Sequence, residues 1–333
     1  MHVSTGSNVA LWASAAFHDQ ARSWVAAVSH DRGVELDGEM DQPHNRPWSS
    51  AIRFGSSAGD LWFKVNGPGT RHESTLVGLL AELVPDLVAD VLAVDADRGW
   101  TLTRDAGPML RTTAAPEQLW SRWEGIVQRY AEAQILLGSH DRELLGTGTP
   151  EVSPRTMPGQ AAALLEQLAA ETPDTGGLTP EQAEGLTARL PEYAGWCAEL
   201  TGSGIPESVQ HDDLHSGNIC WAGSLDGARI IDWGDASVGH PFGTMLCTLN
   251  SVSHAAGLEL DDPRVLRVRD AYLEPFTAFA DHAELVRLVG LARRTGCVAR
   301  ALSYRAALLG EPVSTHAEYE FPVREWFLDL LED

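Results

Sequence analysis

The sequence predicts an α+β fold in which a small β-rich N-terminal lobe precedes a larger helical lobe. Short runs with strand character, bounded by turn residues, are concentrated between residues 49 and 104. Amphipathic helical periodicity dominates from residue 116 onward. The segment Asp105-Ala106-Gly107-Pro108 interrupts both patterns, as linkers do. We therefore predict an N-lobe over residues 1–105 and a C-lobe over residues 106–333.

The N-lobe elements follow from residue spacing and turn chemistry. Apolar residues recur at helical spacing over residues 16–30. The glycine-rich turn Gly55–Asp60 separates two short strand-like runs and predicts a β-hairpin. The predicted elements are a leading helix, two hairpin strands, one main helix and two further strands: 16–30, 49–54, 61–65, 73–83, 87–94 and 100–104.

The C-lobe is predicted to be mostly helical, with one short β-rich interruption. Pro and Glu open an amphipathic helix at Pro116, as is common in a first helical turn. The predicted helices cover residues 116–137, 161–170 and 180–200, and helices resume from about residue 242. The predicted strands between them cover residues 208–210, 218–221 and 228–233.

Composition narrows the function classes. The formal charge of −23 over 333 residues argues against a nucleic-acid partner, because phosphates require a basic surface. No apolar run approaches the roughly 18 to 20 residues that span a bilayer, and the N-terminus does not read as a signal peptide. We expect a cytoplasmic monomer or homodimer. The four cysteines lack zinc or disulfide spacing and are expected to be buried thiols.

One stretch concentrates polar groups between two apolar strand ends: Val209-Gln210-His211-Asp212-Asp213-Leu214-His215-Ser216-Gly217-Asn218. Asp232 follows the next apolar strand. A carboxamide and a carboxylate are the hard oxygen ligands that Mg²⁺ prefers. We therefore predict that Asn218 and Asp232 hold Mg²⁺, that Asp213 accepts the proton of a hydroxyl during phosphoryl transfer, and that His211 braces the loop.

Lys64 is the only lysine in a chain with 23 arginines, and it lies in a predicted strand. An ammonium is a compact point charge, which suits close approach to a phosphate better than a guanidinium does.

His211-x-Asp213 with Asn218 five residues later, followed by Asp232-Trp233-Gly234, resembles the motifs of the aminoglycoside phosphotransferase family, which includes choline, homoserine and sugar kinases. The resemblance extends over about residues 45–245. It implies a two-lobed, protein-kinase-like fold with ATP in the cleft. It also implies that Lys64 binds the α and β phosphates and pairs with Glu73. Adenine would meet the backbone of residues 101–104, with Thr103 and Arg104 as predicted contacts.

Two positions depart from the family pattern. The loop that covers the phosphates should join the first two strands near residues 45–50, but this stretch contains no glycine. Ser49 and Ser50 are its candidate phosphate donors. Asp212 stands where the family commonly has glycine, and the sequence gives it no role.

Alternative functions differ in what they require. Protein-kinase activity lacks support, because the Ala-Pro-Glu motif that ends the activation segment of protein kinases does not follow Asp232. A metal-dependent hydrolase would leave Lys64 without a role, and a non-catalytic nucleotide sensor would not need an intact set of catalytic residues. The identity of the acceptor stays open among aminoglycosides, other antibiotics, sugars and amino alcohols. Phosphorylation of an antibiotic would confer antibiotic resistance. Its pocket is expected from the helices after residue 240 and from residues 155–200.

Overall fold

The computed structural model describes residues 7–113, 116–312, 315–316 and 321–332. It confirms the α+β class, with a small antiparallel sheet followed by a mostly helical remainder. Within these residues, no helix has the length and apolar character needed to cross a membrane.

A five-stranded antiparallel sheet forms the N-lobe, with strand order β1-β2-β3-β5-β4. The hairpin between β2 and β3 is the one predicted from the glycine-rich turn. The strands are β1 Leu36–Asn45, β2 Ser49–Ser56, β3 Leu61–Asn66, β4 Val91–Asp95 and β5 Trp100–Arg104.

Strand β1 is an element that residue patterns did not predict. Its sequence, Leu-Asp-Gly-Glu-Met-Asp-Gln-Pro-His-Asn, is rich in residues that strands disfavour. It forms one edge of the sheet, where half of its residues are exposed and none is buried, and its register with β2 shifts twice. Proline and charge are tolerated at such an edge, because one side of the strand needs no pairing.

Three helices accompany the sheet: α1 Asn8–Trp12, α2 Ala15–His30 and α3 His72–Leu83. Helix α2 covers one face of the sheet with aromatic side chains. Phe17 lies 6.2 Å from Phe63 between ring centroids, and Trp24 lies 5.6 Å from Trp100. This aromatic core fixes β3 and β5 in place, and β3 carries Lys64.

The C-lobe contains nine described helices with two hydrophobic cores. The larger core includes Trp123 and joins α5 to α9, α10 and α11, whereas the second joins α7, α8, α11 and α12. The helices are α4 Leu110–Thr113, α5 Pro116–Leu137, α6 Asp141–Gly146, α7 Met157–Ala170, α8 Pro180–Gly202, α9 Met245–Ala256, α10 Pro263–Leu273, α11 His282–Ala307 and α12 Phe321–Leu328.

Two small sheets of the C-lobe hold the polar loop found in the sequence. One has the order β6-β10-β7, and the other pairs β8 with β9. The loop that contains Asp213 runs between β7 and β8, and Asp232 follows β9. The strands are β6 Glu151–Val152, β7 Ser208–Gln210, β8 Ile219–Trp221, β9 Ala228–Ile230 and β10 Ser237–Gly239.

The two lobes touch at points on either side of the cleft. The Ile230 N–H donates to the Leu87 carbonyl at 2.7 Å. Leu87 thus pairs with the C-lobe, and the strand predicted from Leu87 joins the N-lobe sheet only from Val91. On the other side, Gly69 lies against the end of α11, where an added Cβ would come within 1.6 Å of the Ala306 carbonyl oxygen. Only glycine permits that approach.

Candidate active site

Lys64 links the two lobes through a pair of carboxylates. Its ammonium lies 2.7 Å from Glu73 on α3 and also contacts Asp232, which follows β9. Burial would lower the pKa of Lys64, but the two carboxylates outweigh it and raise the pKa above its usual range. Lys64 therefore stays charged, and the predicted pairing with Glu73 is present in the structure.

Glu73 also positions the segment that carries Asp232. Its carboxylate accepts a hydrogen bond of 2.9 Å from the Trp233 N–H. Asp232 has a left-handed backbone (φ 64°), which is uncommon for a residue other than glycine. Such a conformation persists only when the surroundings determine it, and it commonly marks functional sites.

His211 holds the polar loop against the strand that leads to Asp232. It is fully buried, and its Nε2 lies 2.9 Å from the Ile231 carbonyl. Burial lowers the pKa of His211 to about 4, so the ring is neutral and Nε2–H is the donor. The His211 N–H donates to the Tyr130 hydroxyl at 2.9 Å. The buried ring and its hydrogen bonds agree with the prediction that His211 braces the loop, which stays a prediction.

Asp213 faces the cleft, and charged and polar groups surround its carboxylate. The Asn218 Nδ2 donates to the Asp213 carbonyl at 3.0 Å and to its carboxylate at 3.3 Å. Arg300 lies 3.8 Å from one carboxylate oxygen, and His215 lies 3.6 Å from the other. Burial raises the pKa of Asp213 to about 7, although Arg300 opposes the shift. That value suits a general base at neutral pH.

Asp212 has an explanation that the sequence did not give. Its φ of 59° lies in the left-handed region, which glycine adopts without steric penalty and which Asp tolerates better than most other residues. The buried carboxylate accepts a hydrogen bond from the Ser237 hydroxyl. Burial raises the pKa of Asp212 to about 6. Asp212 thus connects the loop to β10.

Asp235 also faces the cleft. Arg300, which is 4% exposed, approaches its carboxylate at 3.2 Å, and the Ser303 hydroxyl donates to it at 2.7 Å. Both partners lie on α11. Asp213, Asp232, Asp235 and Arg300 line one cavity of about 200 Å³ between the lobes.

The turn between β1 and β2 forms the N-lobe side of this cavity. Ser49 lines the cavity, and its hydroxyl lies 3.4 Å from His44 Nε2. Ser50 is fully buried, and its hydroxyl donates to the His44 carbonyl at 2.9 Å. It also accepts from Gln42 at 2.8 Å. Contrary to the prediction, Ser50 therefore has no free donor for a phosphate, whereas the phosphate contact of Ser49, which lines the cavity, stays a prediction.

The predicted hinge contacts lie at the end of β5. Thr103 pairs with Trp62, and Arg104 pairs with Leu61. However, the Arg104 N–H donates to the Asp90 carbonyl at 2.9 Å, and its guanidinium Nε donates to the Asp90 carboxylate at 3.0 Å. The backbone N–H of Arg104 is thus already bonded to the residue before β4, and the contact of Arg104 with adenine stays a prediction.

The residues predicted to hold Mg²⁺ fit a hard cation. Burial would raise the pKa of Asp232, but the neighbouring Lys64 ammonium lowers it to about 2, so the carboxylate is ionised. Because Asn218 uses Nδ2 toward Asp213, Oδ1 is its remaining ligand atom. The described residues contain no group of three His, Cys, Asp or Glu arranged for a metal. A site of Asp232 and Asn218 is thus one that substrate phosphates and water must complete.

Several residues of the cavity were not predicted from the sequence, among them His44, Asn66 and Arg300. His44 lies on the unpredicted edge strand. Asn66 follows Lys64 by two positions, and strand periodicity places both side chains on one face, a signal that was available. Arg300 stands alone in an apolar helical stretch, which could also have marked it. No residue of the segment 155–200 lines this cavity, contrary to expectation.

Comparison with protein families gives one match. Residues 79–282 match the family described as the phosphotransferase enzyme family, which confirms the resemblance drawn from the motifs. The matched segment contains Asp213, Asn218 and Asp232 but begins after Lys64 and Glu73. A comparison with curated proteins finds no significant match.

Several solved structures share the fold. A macrolide 2'-phosphotransferase type I is 14% identical with a TM-score of 0.55, covering 92% of this chain and 97% of the other. A choline/ethanolamine kinase family protein from Mesorhizobium loti is 19% identical with a TM-score of 0.56, covering 94% and 98%. An ethanolamine kinase from Plasmodium vivax is 12% identical with a TM-score of 0.56, covering 93% and 88%. These similarities establish the two-lobed, kinase-like fold.

Proposed function

This chain belongs to the phosphotransferase enzyme family, and we propose that it transfers the γ-phosphate of ATP to a hydroxyl of a small molecule. The observation that carries this proposal is the convergence of both lobes on one cavity. Asp213 and Asp232 line it from the C-lobe, and Lys64 on the N-lobe sheet contacts Asp232. A carboxylate that can accept a proton and an ammonium that can bind phosphate thus lie near one cavity, which supports the proposal.

In this reaction Asp213 orients the acceptor hydroxyl and takes its proton. The acceptor oxygen forms a bond to the γ-phosphorus as the bond to the bridging oxygen of ADP breaks. The raised pKa of Asp213, about 7, gives the carboxylate enough basicity to hold that proton. Asn218 bonds to Asp213 at 3.0 and 3.3 Å and fixes its direction.

Lys64 would bind the nucleotide phosphates, with Glu73 holding its ammonium in place at 2.7 Å. Asp232 and Asn218 would hold Mg²⁺, which neutralises charge on the phosphates when bound. Ser49, the first residue of β2, lines the cavity and would donate to a phosphate. Thr103 remains a proposed contact for adenine.

The first test concerns nucleotide binding. We expect ATP to raise the melting temperature only when Mg²⁺ is present, because the two protein ligands need phosphate oxygens to complete the site. The measurement is a thermal melt with ATP, with Mg²⁺ and with both, repeated with Asp232→Asn. Equal shifts with and without Mg²⁺ would contradict the proposed metal ligands.

The second test is the pH dependence of turnover. A general base must be ionised, so kcat/KM for the acceptor should fall below about pH 7, by up to roughly tenfold per pH unit. The profile should be recorded from pH 5.5 to 8.5, with MgATP affinity measured at each pH as the control. A flat profile with constant MgATP affinity would contradict Asp213 as the base.

A further inference from the structure

Arg300 places a positive charge in a nearly buried part of the candidate site. It lies on α11, in the wall of the cavity between the lobes, and its side chain is 5% exposed. Removing a guanidinium from water is unfavourable unless anions and hydrogen bonds compensate for it. The partners of Arg300 therefore indicate which groups its charge stabilises.

Asp235 holds one side of the guanidinium. Nη1 of Arg300 donates to Oδ2 of Asp235 at 3.2 Å, and the Ser303 hydroxyl donates to Oδ1 of the same carboxylate at 2.7 Å. The guanidinium carbon also lies 4.9 Å from the ring centroid of Tyr304 and 5.9 Å from that of Trp326. Cations are attracted to aromatic rings at such distances. The ion pair and the two rings together fix the position of the guanidinium.

The two carboxylate oxygens of Asp213 have different neighbours. Asn218 donates to Oδ2 at 3.3 Å, and His215 lies 3.6 Å from the same oxygen. Oδ1 faces Arg300, whose Nη2 lies 3.8 Å away. That distance is too long for a hydrogen bond, but a charge this close still attracts a carboxylate in a partly buried site. Arg300 therefore attracts Oδ1 without occupying its lone pairs.

The shape of the arginine side chain explains how it contacts both carboxylates. Nη1 faces Asp235 and Nη2 faces Asp213, and the planar guanidinium keeps these two nitrogens at a fixed separation. An ion pair that only stabilised the fold would need Asp235 alone. The second contact connects α11 to the loop between β7 and β8, which carries Asp213.

We propose that Arg300 is a positioning residue of the phosphotransfer: Asp235 fixes its guanidinium, and Nη2 directs the Asp213 carboxylate so that Oδ1 receives the proton of the acceptor hydroxyl. This inference rests on the proposed function. In the step itself the acceptor oxygen bonds to the γ-phosphorus, ADP leaves, and the proton passes to Asp213. Arg300 keeps its charge and its protons throughout.

The test is chemical rescue of Arg300→Ala. The substitution removes the guanidinium and leaves a space that a small cation can enter from the cavity. We expect kcat for ADP release from MgATP to fall roughly 10- to 10²-fold, the scale of about 1 Å of misplacement, while KM for MgATP stays close to wild type. Millimolar guanidinium chloride should restore most of the turnover, whereas urea, which has a similar shape but no charge, should not.

The acceptor in this assay is whichever of choline, ribose, streptomycin and erythromycin stimulates ADP release most in the wild type, and water where none does. Absence of ADP release from the wild type with every acceptor, although MgATP binds, would overturn the proposed function itself. Wild-type kcat in Arg300→Ala would overturn the role of Arg300 alone. A loss that guanidinium does not restore, or that urea restores equally, would show that Arg300 only supports the fold.

Arg305→Ala is the matched control for the loss of an arginine from α11. Arg305 lies on the same helix and pairs with Glu171 at 2.8 Å. It does not line the cavity between the lobes. Its loss should therefore leave kcat unchanged, with or without guanidinium. An equal fall of kcat in Arg305→Ala and Arg300→Ala would overturn the proposal.

A neutral double variant keeps the proposal testable if Arg300→Ala does not fold. Arg300→Gln combined with Asp235→Asn removes both charges of the anchoring pair, so neither is left buried without its partner. We expect this variant to lose more kcat than Asp235→Asn alone, because Asp213 has also lost its cationic neighbour. Equal kcat in the double variant and in Asp235→Asn would show that Arg300 does not position the base.

Discussion

Asp213→Asn is expected to lower kcat by roughly 10²- to 10⁴-fold, the usual contribution of a positioned general base, while the fold and MgATP affinity stay close to wild type. The substitution keeps the shape of the side chain but removes its negative charge and, with it, its capacity to take a proton. The hydrogen bond of 3.0 Å from Asn218 to the backbone carbonyl of Asp213 is unaffected. Kinetics with a productive acceptor and a MgATP titration give the two measurements.

A loose transition state reduces the expected loss, because little proton transfer is then needed before the bond to the leaving oxygen breaks. The lower end of the range corresponds to that case. Asp235→Asn is the matched control, since Asp235 lines the same cavity and bonds to Arg300 at 3.2 Å. We expect Asp235→Asn to lose less turnover. Equal losses in the two variants would contradict the assignment of Asp213 as the base.

The same substitution has a second consequence for stability. Burial raises the pKa of Asp213 from 3.8 to about 7, so the folded state binds this proton more tightly than the unfolded state. The free energy of unfolding contributed by Asp213 therefore falls as the pH rises through this window. Asp213→Asn removes that effect, and its melting temperature at pH 8 should equal or exceed that of wild type. A clear decrease would mean that the ionised carboxylate stabilises the fold.

The sequence predicted the positions of those site residues that lie at the ends of short strands. The loop with Asp213 and Asn218 lies between two strands, and Asp232 ends a third, so short apolar runs with polar ends located all three residues. Helix α3 was predicted from residue 73, and the structure begins it at His72. The hairpin that presents Lys64 followed from its glycine-rich turn.

What the sequence could not give depends on contacts between distant segments. Ser50 looked available until the edge strand β1, which lacks strand composition, placed Gln42 and His44 against its hydroxyl. The sequence predicted that helices after residue 240 form the acceptor pocket, but which side chain of α11 reaches Asp213 and Asp235 depends on packing; it is Arg300, 68 residues after Asp232. The close approach of Gly69 to the Ala306 carbonyl likewise joins segments far apart in the sequence.

Lys64→Arg is expected to lower kcat/KM for ATP by roughly 10²-fold, the effect that about 1 Å of misplacement can have on phosphoryl transfer. The charge is retained, so any loss comes from geometry. The ammonium fits between Glu73, at 2.7 Å, and Asp232 as a compact point charge. A guanidinium is planar and broader, and its fork would displace either a carboxylate or the nucleotide phosphates. Steady-state kinetics at varied MgATP concentration measure the change.

The fold should tolerate Lys64→Arg, because both carboxylates keep a cationic neighbour, and a thermal melt separates lost activity from lost structure. Arg53→Lys is the matched control. Arg53 lies on the neighbouring strand β2 and pairs with Asp60 at 3.0 Å, with about a third of its side chain exposed, so this exchange should leave kcat/KM unchanged. The family match begins after Lys64 and so does not bear on this residue. The experiment is therefore an independent test of the phosphate-binding role of Lys64. Wild-type kcat and KM for ATP in Lys64→Arg would show that the lysine only joins the lobes.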